Sequence, residues 1–308
     1  MPKPGKDKKK KELTISIVTY NSLDFLKECL ESIFKNPPLV DYGIIVVDNA
    51  SEDGTSEFIK KNYPAVTLIS NTKNIGFAAA NNQAIKNSDS RYIVLINSDC
   101  EVYGGSLDNL MEFMDKNAGA GIAGPKIINS DGTTQLSCRR FPSLLDAAAH
   151  NILGDIFPGN PFTKKYKLAG VSRDKPFKVD WVSGSCMIIR RKALEDTGEL
   201  DEKYFMYIED VDMCYRMWQK GWVVYYYPEA EIMHHAGGST GRGRCEKIKS
   251  GFRMQRSAFY FFCKIYRKNW RIILIPLLLI VLGARLAISI LKGIFPERKL
   301  TPPADSCL

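Results

Sequence analysis

The chain has 308 residues, 45% of them hydrophobic and 25% charged, enough apolar material for one large core or two modest ones, which excludes a disordered polypeptide. Its eight cysteines (Cys29, Cys100, Cys138, Cys186, Cys214, Cys245, Cys263 and Cys307) form no C-x-x-C pair, and no early secretory segment is visible. A disulfide framework and a zinc ribbon are therefore excluded, and reduced thiols in a cytosolic compartment are expected.

The net charge of +9 is uneven: residues 1–12 carry +4 and residues 242–308 carry +11, which leaves −6 on an acidic body, 13–241. Residues 1–12, with Lys8 to Lys11 consecutive, read as a basic flexible arm. Leu13 to Thr19 is apolar and β-branched, and Leu23, Leu26, Leu30, Ile33 and Phe34 follow at helical spacing behind a capping Asn21 or Ser22. The same unit recurs. Tyr42 to Val47 is a strand ending in Asp48-Asn49-Ala50-Ser51, followed by a helix through Phe58 and Ile59. Val66 to Ser70 is a short strand, Asn74 to Ala78 opens a helix through Ile85, and Tyr92 to Ile96 is a strand again. After Met114 the pattern loosens. Gly124 to Ile128 reads as a strand, Phe141 to Asp180 as a long proline-containing connection, and Trp181 to Arg190 as a strand. A short helix from Leu194, a helix from about Glu209 to Lys220 and a strand at Trp222 to Tyr226 complete the body. This alternation predicts an α/β, Rossmann-like fold with a mostly parallel central sheet covered on both faces, in which ligands collect beyond the strand C-termini.

Three strand ends in that series are polar: Thr19-Tyr20-Asn21, Asp48-Asn49 and Asn97-Ser98-Asp99. Turn chemistry accounts for any one of them, whereas three in succession point to a shared site. Glu209, Asp210 and Asp212 fall in the first turn of one expected helix, either as a cap or as a general base held near a metal or a sugar hydroxyl. His234-His235 follows a strand and precedes the glycine-rich Ala236 to Thr240. With Asp99, His234 would give a mixed oxygen and nitrogen ligand set for a divalent cation.

The ordered motifs T-Y-N, V-D-N-A-S-x-D-G-T, N-x-G-F-A-x-x-N-N, L-I-N-S-D, W-V-S-G-S-C-M-I-I-R-R, E-D-V-D-M-C-x-R and H-x-x-G-G-S span about Leu13 to Thr240. Together they resemble family 2 inverting glycosyltransferases of the GT-A fold, in particular the bacterial rhamnosyltransferase-like branch that builds polysaccharide on lipid-linked acceptors. The resemblance implies a nucleotide pocket of Thr19, Tyr20, Asn21 and Asp48, with Asp48 on the base and Asn49 beside it. It implies that Asn74, Gly76 and Phe77 pack against the nucleotide. Asn97-Ser98-Asp99 takes the place of the Asp-x-Asp signature, with Asp99 as the metal-binding carboxylate, Asn97 beside the donor and His234 as a second metal contact. Having Asn97 where the signature has its first Asp implies weaker resting metal affinity. Asp210 would be the base, and Trp181, Ser183, Gly184 and Glu209 would shape the pocket where donor sugar meets acceptor. The implied cofactor is Mg²⁺ or Mn²⁺. The implied partners are a nucleoside-diphosphate sugar, rhamnose being the first guess, and a lipid-linked glycan or polysaccharide acceptor.

Arg242 to Arg271 interleaves ten Lys/Arg with Phe252, Phe259, Tyr260, Phe261, Phe262, Tyr266 and Trp270. Such interleaving also suits single-stranded nucleic acid, but no reader motif accompanies it, and the uncharged run Ile272 to Ala284 follows. No nucleic-acid partner is expected. A juxtamembrane helix over 242–271, a membrane-anchoring helix over 272–295 and a tail over 296–308 are expected instead, at the cytoplasmic face of the inner membrane. Arg285 leaves a monotopic anchor, a tilted span and a helix packed on a partner subunit all open. Two other functions stay in view. One is a catalytically inactive nucleotide-sugar-binding protein of the same fold. The other is a sugar nucleotidyltransferase, for which Val18 to Leu23 lacks the Gly and Lys of a phosphate loop.

Overall fold

Continuous apolar runs make the parallel half of the sheet. In the computed structural model, which describes residues 11–142, 160–235, 244–267 and 270–283, these runs are β1 (Leu13–Thr19), β2 (Tyr42–Asp48), β3 (Thr67–Ser70) and β4 (Tyr92–Asn97). They lie in the order β3-β2-β1-β4, every pairing parallel. Parallel neighbours need crossovers, supplied by α1 (Leu23–Lys35), α2 (Thr55–Asn62) and α3 (Phe77–Lys86). Side chains alternate across a strand, so β2 serves both faces. Ile44 and Val46 join the cluster that holds Leu26, Leu30 and Ile33 of α1, while Ile45 and Val47 pack on Ala80 and Ala84 of α3. The chain runs outward from β1 to β3 and returns to β4 on the other side of β1. That reversal is a switch point, and it opens a crevice beyond the C-terminal ends of β1 and β4.

The second half of the sheet is mixed. The following elements are β5 (Cys100–Val102), α4 (Ser106–Lys116), β6 (Ala120–Ile128), β7 (Thr134–Gln135), β8 (Cys138–Arg139), α5 (Pro161–Tyr166), β9 (Phe177–Lys178), β10 (Trp181–Val182), β11 (Cys186–Arg190), α6 (Arg191–Thr197), α7 (Glu209–Gln219) and β12 (Val223–His234). The sheet continues β4-β11-β6-β12-β5. β11 runs antiparallel to β4 and β6, and β5 antiparallel to β12, while β6 and β12 are parallel.

Two strands differ from expectation in ways that build the site. The expected strand over 181–190 breaks at Ser183-Gly184-Ser185: β10 pairs with β8 in a separate two-stranded ribbon, and only β11 enters the main sheet. The break frees the Gly184 N–H to point away from any ladder. β12 is far longer than the expected Trp222 to Tyr226, because a register shift between Tyr227 and Glu231 absorbs Pro228, which has no N–H to give a ladder. The extension carries His234 alongside Cys100.

The C-terminal expectation needs correction. α8 (Arg244–Tyr266) is followed by a 3₁₀ turn, Trp270–Leu274, and a helix over 275–283. Among the described residues no helix is long and apolar enough to cross a membrane. Nine residues at about 1.5 Å each cover roughly half of the ~30 Å hydrocarbon layer. Leu278 and Leu282 are buried against Phe262 and Tyr266 of α8. Most of the basic arm, the Gly-rich Ala236 to Thr240 and the rest of the expected 272–295 anchor with its tail lie outside the described residues.

Candidate active site

A cavity of about 1630 Å³ opens at the switch point. Thr19, Tyr20 and Asn21 from the end of β1, and Asn97 and Asp99 from the end of β4, line it together with Asn74, Gly76 and Phe77 at the start of α3. Trp181, Ser183 and Gly184 of the broken strand, Glu209 and Asp210 of α7, and His234 of β12 complete the wall. The structure thus brings every expected site residue but one to a single cavity. Asp48 does not line it. That carboxylate is 2% exposed and accepts hydrogen bonds from Ser51 N (2.9 Å) and Ser56 Oγ (2.6 Å), so it shapes the β2 turn, and its neighbour Asn49 reaches the cavity instead.

Gly76 sits at φ 90°, and a Cβ there would meet the Phe205 carbonyl oxygen at 2.4 Å. The same oxygen accepts Phe77 N at 2.7 Å. Only glycine lets the loop before α7 settle on the start of α3. The loop ends in two consecutive left-handed residues, Tyr207 (φ 71°) and Ile208 (φ 70°). This conformation is costly for a β-branched residue, on the order of 1–3 kcal/mol. It turns the first residues of α7 into the cavity.

Asp210 Oδ2 accepts the Gly184 N–H at 2.9 Å, and Oδ1 accepts the Val211 N–H at 2.8 Å. Burial raises its pKa, against the opposing pull of those two N–H groups and the Arg139 guanidinium. Glu209, 5% exposed and with no hydrogen-bond partner for Oε2, is pushed well above the usual carboxylate range by burial and then by the Asp210 charge. Burial thus disfavours the charged form of both, while the two N–H groups on the Asp210 oxygens are placed to offset that cost, an arrangement that suits Asp210 to receive a proton from a hydroxyl. Asp212 is no competitor for that role. It is 0% exposed and bound by Arg216 Nε (2.8 Å) and Lys264 Nζ (2.7 Å).

Elsewhere on the wall, His234 Nε2 lies 3.3 Å from Asp99 Oδ1. His234 Nδ1 lies 3.0 Å from Gln135 Oε1, so Nε2 is the ring nitrogen turned toward the carboxylate. Two electron-pair donors so placed fit a cation. Cys100 Sγ is the third group within ligand range, but burial and the Asp99 charge hold that thiol well above its ordinary pKa. The usable set is then one hard oxygen and one imidazole nitrogen, as Mg²⁺ or Mn²⁺ accepts.

Two parts of the wall were not expected from sequence. Arg139 spreads its guanidinium over the Tyr166 and Trp181 rings, at 5.6 and 5.3 Å. It lies on a two-residue strand with no periodicity to mark it. Lys249, Arg253, Met254 and Phe261 of α8 also line the cavity. α8 is docked by Ser257 Oγ to Met206 O (3.0 Å), Tyr260 OH to Asp201 (3.0 Å) and Lys264 to Asp201 (2.8 Å). Its basic and aromatic composition had suggested a membrane surface rather than a wall of this cavity.

The sequence matches the model of glycosyl transferase family 2 over residues 14–198. It is 32% identical over 273 residues to an N-acetylglucosaminyl-diphospho-decaprenol L-rhamnosyltransferase of Mycobacterium tuberculosis, covering 84% of this chain and 86% of that one. It is 28% identical over 232 residues to a rhamnosyltransferase of Escherichia coli, with 72% and 83% covered. Among solved structures, a mannosyltransferase from Pyrobaculum calidifontis in complex with GDP-Man and Mn²⁺ superposes with a TM-score of 0.56 at 18% identity, over 92% of this chain and 73% of that one. That likeness supports the α/β, GT-A-type fold. On these grounds the chain belongs to glycosyl transferase family 2, as a glycosyltransferase of the rhamnosyltransferase-like branch.

Proposed function

We propose that this enzyme transfers a sugar, with inversion, from a nucleoside-diphosphate sugar to a lipid-linked acceptor. The observation that carries the reading is that the Asp210 carboxylate and the Asp99–His234 pair line one cavity at the switch point. Thr19, Tyr20, Asn21 and Asn49 hold the nucleotide, Asn97 the donor, and Trp181, Ser183 and Gly184 the floor where sugar and acceptor meet. Asp210 takes the proton of the acceptor hydroxyl as that oxygen attacks the anomeric carbon, and attack from the face opposite the leaving diphosphate inverts the centre. Asp99 and His234 would hold a divalent cation, which when bound supplies positive charge against the leaving diphosphate. The relatives named above direct the donor toward a rhamnose-type sugar and the acceptor toward a polyprenyl diphosphate. A binding protein without turnover has no use for a base in the same cavity as a ligand pair.

Asp99→Ala is expected to abolish the metal-dependent part of nucleoside-diphosphate binding, and His234→Ala to weaken it in the same direction. His235→Ala should have much less effect, because His235 Nε2 is bonded to Glu101 at 2.6 Å and its Nδ1 to Ser130 at 2.9 Å. Calorimetry with nucleoside diphosphates, with and without Mn²⁺, checks this. Equal loss at the two histidines would move the ligand assignment away from His234.

The enzyme works at the cytoplasmic face of the inner membrane, held there by residues 242–295. Support comes from the exposed Phe252, Ile272, Ile273, Leu277, Leu279 and Ile280 beside a basic helix. Each Lys or Arg near an anionic surface contributes about 1 kcal/mol, so a chain ending before Ile272 should bind anionic vesicles weakly and leave them as salt rises. The intact chain should stay bound in high salt. Sedimentation that shows the intact chain indifferent to both anionic and neutral vesicles would remove the membrane assignment.

A further inference from the structure

We propose that Lys249 and Arg253, one turn apart on α8, form the subsite for the diphosphate of the acceptor lipid. The proposal rests on the lipid-linked acceptor argued above. Both side chains line the cavity that holds Asp210. They converge on a single carboxylate, Glu246, with Lys249 Nζ at 2.7 Å from one oxygen and Arg253 Nη1 at 3.8 Å from the other. The Arg253 guanidinium also lies 4.8 Å over the Phe205 ring, whose residue is pinned to the start of α3 through its carbonyl. Arg253 is therefore a placed cation rather than a solvated surface arginine.

The helix face continues the pattern. Positions three and four apart share one face of a helix, and beyond Arg253 the cavity-lining positions of α8 are Met254, the polar Gln255 and then the apolar Ala258, Phe261 and Phe262. From Lys249 to Phe261 the face runs about 18 Å at ~1.5 Å per residue, charge first and hydrocarbon after. A diphosphate carrying an isoprenoid likewise has charge at one end and hydrocarbon at the other. The donor diphosphate has its own place at the Asp99–His234 end of the cavity. Glu246 occupies the anionic position between the two cations, and a diphosphate, with more charge and more acceptor oxygens, displaces it.

The test measures binding of farnesyl diphosphate and of farnesol to the full-length protein in neutral detergent, with the donor site saturated by nucleoside diphosphate and Mn²⁺. The Lys249→Gln, Arg253→Gln double variant should weaken farnesyl diphosphate by about tenfold or more, since two charge-assisted contacts are lost, and leave farnesol within about twofold. Glu246→Gln should tighten farnesyl diphosphate several-fold, a gain that loss of folding cannot imitate. Unchanged affinity in the double variant, or weaker binding in Glu246→Gln, would overturn the subsite. So would a loss confined to the nucleoside diphosphate, which would put the cations on the donor. Anionic phospholipid vesicles competing as well as farnesyl diphosphate would overturn it in favour of a headgroup contact. If the binding results hold but no sugar reaches any polyprenyl-diphosphate acceptor, the subsite stands and the proposed transfer fails.

Discussion

Asp210→Asn should lower kcat by about 10² to 10⁴, the usual contribution of a general base, while donor affinity stays close to that of the parent. The amide keeps the shape, and its oxygen can still accept the Gly184 N–H that Oδ2 now accepts at 2.9 Å, so the cavity floor survives while the proton acceptor and the local acceptor for the Val211 N–H are lost. The parent enzyme should also show an acid limb. A base at Asp210 must be unprotonated to act, and burial raises the pKa of that carboxylate, so the rate should fall as pH drops through that raised value. In Asp210→Asn the limb should disappear along with most of the rate. Steady-state kinetics across pH on both proteins decides. Turnover within about tenfold of the parent would place the base elsewhere, and Glu209, which alone shares the cavity with Asp210 on that turn, would be next.

Much of this was legible before any coordinates. The β1, β2 and β4 runs are uninterrupted apolar stretches, and a buried parallel strand has no other way to appear in sequence. The polar residues at their ends had to converge because parallel strands all present their C-terminal ends on one edge. The failures have equally local causes. The last strand was read only over Trp222 to Tyr226, and the register shift that carries β12 past Pro228 cannot be read from residue types. Ser183 and Gly184 were placed at the pocket by resemblance but inside one continuous strand, and the break that aims the Gly184 N–H at Asp210, 26 residues later, depends on the packing of α7. Asp48 was grouped with the strand-end polar residues by position, yet its side chain turns to Ser51 and Ser56. α8 misled most, because basic and aromatic residues serve a membrane surface and an acceptor wall equally well. Composition cannot choose between these. The hydrogen bonds that dock Ser257 and Tyr260 on the loop before α7 make α8 a wall of the cavity, a placement compatible with a membrane on its outer face.

Asp212→Ala should destabilise the fold by about 3–5 kcal/mol, the cost of removing one partner from a buried ion pair. Asp212 is fully buried, and its two oxygens meet Arg216 Nε at 2.8 Å and Lys264 Nζ at 2.7 Å, with Tyr204 OH at 3.3 Å. Arg216 has three further hydrogen bonds to the carbonyls of Thr197, Gly198 and Glu199, and Lys264 keeps Asp201 at 2.8 Å. Arg216 cannot swing to water without breaking those contacts, so the lost carboxylate leaves its half-buried charge without a counter-ion, while Lys264 retains Asp201. The cost should be felt at the site as well. Asp212 lies two residues from Asp210 on α7, and Lys264 is on α8, so this pair ties two helices that wall the cavity. Urea unfolding of the two aspartate variants should therefore separate them. Asp212→Ala loses stability, whereas Asp210→Asn keeps or gains it, because a carboxylate whose pKa burial has raised opposes folding while it is charged. An Asp212→Ala protein within about 1 kcal/mol of the parent would mean that α8 is held by its apolar packing alone and that the ion pair is not the tie between the two helices.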